Sequence, residues 1–221
     1  AMPSKATPNK RRRASEISDI TVYNAGLDIG TSYTGLALSK SNQGTGISLN
    51  DIEFILPNYP CKNSRDAVPR KVPTKLLTKV LDDDSLELVA FGEEAQRTWK
   101  MKEGSPDKDK YLMFENFKRF LSPAERPPES KKLGSAFVLK AKAHNSSTWD
   151  LARIFELTFK AALECIKTRL RATVPASSYE DALKNLTWQI TVPNLWDEYA
   201  KSVMRRAAFD AGLVPEERSA R

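Results

Sequence analysis

The sequence predicts an α/β protein built on a mixed sheet, and three observations carry that expectation. Two short apolar runs flank Gly30-Thr31-Ser32, a long stretch repeats apolar residues at helical spacing over residues 147–171, and an apolar run halted by Pro193 leads into a second amphipathic stretch. Strand, turn, strand, then long helix, strand and helix is an order that calls for helices packed on a sheet containing both strand directions.

The first element is a hairpin over residues 25–39, because Gly30 and its hydroxyl neighbours interrupt two β-like runs. A third strand is expected at 52–56, closed by Pro57, which makes a meander. Residues 58–73 are rich in Pro, Arg and Lys without periodicity and read as an excursion from the sheet. Further short strands are expected around Leu76-Leu77 and over 86–91. Gly92 then opens a helix over 93–101, and a second helix is expected over about 110–121 on the spacing of Met113, Phe117, Phe120 and Leu121. The long helix follows from Leu151, Ala152, Phe155, Phe159, Ala162, Leu163, Ile166 and Leu170. Residues 188–192 read as a buried strand. Trp196 to Ala211 marks a helix with Asn194 as N-cap and Gly212 as its stop.

Composition narrows the function. The 221 residues carry a formal charge of +7. Residues 1–20 hold Lys5, Lys10, Arg11, Arg12 and Arg13 against Glu16 and Asp19, so +3 of the +7 sits in a tail and the rest of the chain is only mildly basic at +4. Lys10-Arg11-Arg12-Arg13 has the composition of a nuclear import signal or a polyanion-binding arm, but most such runs are solvated tails, and nucleic acid is not an expected partner. Neither a run of about 18 apolar residues nor a secretory leader is present, so the expectation is a cytoplasmic protein, with nuclear entry the alternative the tail leaves open. Cys61 and Cys165 read as reduced thiols. His144, the single histidine, reads as an exposed loop residue, and one imidazole makes neither a zinc site nor a histidine triad an expected feature.

The chemistry is concentrated in Gly26-Leu27-Asp28-Ile29-Gly30-Thr31-Ser32-Tyr33. A turn with a glycine and several free amides can wrap phosphate oxygens, and a carboxylate on the entering strand can orient Mg²⁺ directly or through water. On spacing alone the segment serves equally well as an ordinary hairpin whose strand aspartate meets solvent.

This segment resembles the first phosphate motif of the 70-kDa heat-shock chaperones, members of the actin and sugar-kinase superfamily of ATPases. Phe117-Lys118-Arg119-Phe120-Leu121 is similar to their catalytic-lysine segment. Gln189-Ile190-Thr191-Val192-Pro193, with Trp196 and Ala211-Gly212-Leu213, is similar to their apolar-Thr-Val-Pro strand and closing helix. Ala90-Phe91-Gly92 falls between these in the same order, and the wording around Val192-Pro193-Asn194-Leu195-Trp196 is closer to the divergent type-twelve branch. The resemblance implies the first lobe of an actin-like (ribonuclease H-like) ATPase domain over residues 23–221, with an inserted subdomain at about 57–145 and a tail over 1–22. It implies ATP or ADP with Mg²⁺ as cofactors, Gly30, Thr31, Ser32 and Tyr33 on the phosphates, Asp28 on the metal and Lys118 as the catalytic lysine.

The residues before Lys118 depart from the family's Asp-Ala-Lys wording, and apart from the resemblance Lys118 reads as a solvent-facing helix residue. The family's second phosphate motif and adenosine motif do not occur in these residues. The expectation is therefore weak nucleotide binding and negligible hydrolysis by this chain alone, with protein clients or co-chaperones as further partners. A non-enzymatic interaction module derived from the same lobe is the alternative.

Overall fold

The computed structural model describes residues 21–42, 47–55, 71–126 and 139–215. The basic tail and Cys61 lie outside the described residues.

Strands β1 (Thr21–Ile29) and β2 (Tyr33–Asn42) form the expected hairpin. Along β1, Tyr23, Ala25, Leu27 and Ile29 are buried while Val22, Asn24, Gly26 and Asp28 are half-buried, the two-residue period of a strand with one face on a core. Strand β3 (Ile52–Phe54) and the short β4 (Val72–Pro73) both pair antiparallel with β2. A second, antiparallel sheet has β5 (Lys75–Val80) between β6 (Leu86–Phe91) and β7 (Tyr111–Glu115). A hairpin of β8 (Lys140–Lys142) and β9 (Thr148–Asp150) bridges to β7 through Phe114 and Ala143. The last strand, β10 (Leu186–Ile190), pairs parallel with β1, so the first sheet has the order β10-β1-β2-β3 and is mixed, as expected.

Among the described residues there are four α-helices: α1 (Glu93–Lys102), α2 (Leu151–Thr173), α3 (Tyr179–Lys184) and α4 (Glu198–Asp210). The long α2 packs against α4 and touches β6 of the second sheet. Its buried side chains, among them Leu151, Ile154, Phe155, Phe159, Ile166 and Leu170, join residues of both sheets in one hydrophobic cluster. Among the described residues no helix is long and apolar enough to cross a membrane.

The fold departs from expectation in several places; residues 72–73, expected to leave the sheet, return to pair with β2. Residues 111–115 are strand, not helix: Tyr111, Leu112, Met113 and Phe114 are all buried in succession, which a strand covered on both faces permits and a surface helix does not. Asn116 at φ +55° then turns the chain into a 3₁₀ segment, Phe117–Leu121, so the apparent helical spacing of Met113 and Phe117 spans two different elements. The long helix begins at Leu151 rather than near residue 147, because the Asp150 carboxylate accepts the Ala152 N–H and caps it, leaving 148–150 to pair in β9.

The last strand is shifted to 186–190 and exposes Thr187 and Gln189, since β10 is the edge of its sheet. Finally, the cap of α4 is Asp197, whose carboxylate accepts the Ala200 N–H, and not Asn194; Trp196 is buried just before the helix. Helix α3 and the β8–β9 hairpin have no periodic signal long enough to announce them. Gly212, at φ +76°, does end α4.

Candidate functional site

The turn after β1 is drawn tight by its own backbone. Gly30 N–H donates to Tyr33 O at 2.9 Å, and a Cβ on Gly30 would stand 2.3 Å from that oxygen, closer than any real contact. Only glycine fits. Gly30→Ala is expected to destabilise the fold by roughly 2–3 kcal/mol, read as a lower urea midpoint at unchanged slope; a midpoint equal to wild type would show that the turn yields freely.

Thr74 holds the turn from behind. Its N–H donates to Ser32 O at 2.8 Å and its hydroxyl to Gly30 O at 2.9 Å. That hydroxyl lies 2.8 Å from the Thr34 hydroxyl, and because its one proton is spent on Gly30, Thr34 is the donor in the pair. Two of the turn's carbonyls are thereby tied back. Among the described residues the N–H groups of Thr31 and Ser32 take no acceptor, and Thr31, Ser32 and Tyr33 are exposed.

Asp28 stands on β1 just before this turn. Its Oδ1 accepts the Thr191 hydroxyl at 2.8 Å, reaching across from the end of β10, and its Oδ2 takes the Lys71 ammonium at 2.7 Å. The Lys71 hydrogen bond is the main reason the carboxyl is held below the usual range. Burial opposes it, while Thr191 and the charges of Lys71 and Lys118 add to it.

Lys118 arrives from the 3₁₀ segment and lies over the Trp196 ring, its Nζ 5.3 Å from the centroid. It is not a solvent-facing helix residue. Burial pushes its ammonium below the ordinary lysine range, Asp28 acts to raise it, and Lys71 acts to lower it. These residues come from four separate parts of the chain and share one electrostatic environment at the end of β1.

Sequence reasoning singled out Asp28, Gly30, Thr31, Ser32, Tyr33 and Lys118. It missed Lys71 and Thr74, which lie where a Pro- and Lys-rich stretch shows no period. It quoted Thr191 and Trp196 as part of a motif without assigning either a contact. The expected metal role of Asp28 has a specific obstacle. Both oxygens already accept a donor and one of those donors is a cation, so as arranged the carboxylate does not fit a divalent ion. Among the described residues no group of three His, Cys, Asp or Glu stands together either.

Two other expectations concern reactive side chains. His144 is exposed in a turn, with Nε2 3.0 Å from Glu115 Oε2 and its ring edge-on to Trp99. Cys165 is a free thiol whose burial pushes its pKa up to about 11, so it is a poor nucleophile. No protein-family model matches the chain, and no curated protein matches it.

Proposed function

We propose that this chain carries the phosphate-binding half of an ATP site, in a lobe of the actin-like type that the 70-kDa heat-shock chaperones use. The observation that carries the reading is the pairing of a glycine turn whose Thr31 and Ser32 amides take no acceptor among the described residues with a half-buried Lys118 at the same end of β1. Oriented amides and a desolvated ammonium are the groups that hold the oxygens of a phosphate chain and offset charge developing on them. The mixed sheet supports the same reading: the turn sits where the parallel strands β1 and β10 end, the side of an open sheet on which ligands bind.

In this arrangement the Gly30 turn positions the phosphates, Lys118 neutralises them, and Trp196 keeps water from one side of the lysine. The test is an amide-resolved NMR titration of the ¹⁵N-labelled chain with ATP. Shifts confined to Gly30, Thr31, Ser32 and Lys118 are expected, with affinity reduced about tenfold in Lys118→Ala, the scale of one lost charge-assisted contact. Silence of those amides up to about 10 mM ATP, a free energy too small to be functional, would sink the proposal and leave an interaction module as the reading.

A further inference from the structure

The Lys71–Asp28 pair sits where the phosphate reading would put a metal, and it bears directly on what that site requires. The pair is exposed, Lys71 at 52% and Asp28 at 43% of the side-chain surface, so it contributes little to folding. Thr191 fixes the carboxylate from the other side at 2.8 Å. Lys118 adds a second ammonium close enough to both groups to sense their charge. The Lys71 ammonium thus pairs with the carboxylate while the Lys118 ammonium lies within range of its charge, beside a turn whose Thr31 and Ser32 amides take no acceptor among the described residues. A hydrated divalent ion approaching Asp28 meets two ammonium groups. A phosphate chain meets the same two as partners.

We propose that Lys71 takes the place of a divalent cation at Asp28, so that a polyphosphate chain binds across Lys71, Lys118 and the Thr31 and Ser32 amides without Mg²⁺. The inference rests on the phosphate reading of this turn. Asp28 then parks and aims Lys71 in the free protein, and Lys71 is transferred from carboxylate to phosphate when the ligand enters. Because the resting pair is solvent-screened, that exchange costs little.

The experiment uses the full 221-residue chain, ¹⁵N-labelled, with ATP and inorganic tripolyphosphate as probes, in EDTA and in excess Mg²⁺. Wild type is expected to bind in EDTA at least as tightly as in Mg²⁺. Lys71→Met keeps the aliphatic stem and is expected to weaken binding in EDTA about tenfold and to make Mg²⁺ stimulatory. Asp28→Asn is expected to tighten binding in EDTA, since it releases the lysine. Dispersed spectra verify that each variant is folded.

Mn²⁺ alone supplies an independent readout, with no selective broadening of the Asp28 and Ile29 amides expected in wild type and broadening expected in Lys71→Met. Wild-type binding seen only with Mg²⁺, or unchanged EDTA affinity in Lys71→Met, or Mn²⁺ broadening in wild type, overturns the inference while leaving the phosphate site standing. No response to either probe in either buffer overturns both.

Discussion

Phe155→Ala is expected to cost about 3–5 kcal/mol, the range for truncating a fully buried aromatic ring. Phe155 is 0% exposed on α2, edge-on to Phe117 at 5.2 Å and tilted against Phe159 at 6.4 Å. The long helix meets the 3₁₀ segment at this ring, and both are anchored in the same buried cluster, so neither collapses freely into the space. A domain of this kind is stable by roughly 5–15 kcal/mol, so the variant stands near the edge of folding.

Phe117 is also the residue before Lys118, so the same cavity loosens the lysine. Phe155→Leu refills part of the space and is expected to recover most of the loss. Denaturant unfolding measures both variants, and an alanine variant within about 1 kcal/mol of wild type would show that Phe155 does not bridge the two elements.

The second large effect is expected at Asp197. Its carboxylate caps α4 through the Ala200 N–H at 2.9 Å and receives the Arg126 guanidinium through two contacts, Nη1 at 2.6 Å and Nη2 at 2.7 Å. Arg126 is only 7% exposed as a side chain. It also donates to Leu121 O at 2.6 Å and lies 5.1 Å from the Tyr199 ring centroid, while its Nε finds no acceptor among the described residues.

Removing the carboxylate therefore leaves a buried cation with little company and a helix without its cap. Asp197→Ala is expected to lose about 3 kcal/mol, toward the low end of a broken buried pair because Asp197 itself is 44% exposed. Asp197→Asn retains the cap and separates the two contributions.

The pair also sets an acid dependence. The Arg126 hydrogen bond is the first cause holding the Asp197 carboxyl below its usual value, with burial opposing and the Ala200 N–H assisting. A depressed folded pKa gives stability that is complete above the unfolded value and is lost as pH falls through the folded one. The gap between wild type and Asp197→Asn should be constant near neutrality and narrow below about pH 4. A gap that does not change with pH would mean the charge is irrelevant and only the cap matters.

Much of the scaffold is readable because its signals are local. The alternation along β1, the glycine turn and the apolar stripe of α2 are each set by a few neighbouring residues, and each specifies its element wherever the chain goes afterwards. The same logic fails at residues 111–121. Four apolar residues in a row are compatible with a buried strand or a piece of helix, and only the pairing of β7 with β5 decides between them.

The candidate site divides in the same way. The sequence by itself determined the glycine turn with Asp28 before it, since these lie within a few positions of one another. The tertiary structure alone decided that Lys71 rests on Asp28 across 43 positions, that Thr191 reaches the same carboxylate across 163, and that Lys118 leaves solvent for the Trp196 ring. Contacts at such separations impose no period on the chain. They exist because sheet pairing and the packing of α2 and α4 carry distant segments to the same end of β1, and it is that convergence that gives the site its surplus of positive charge.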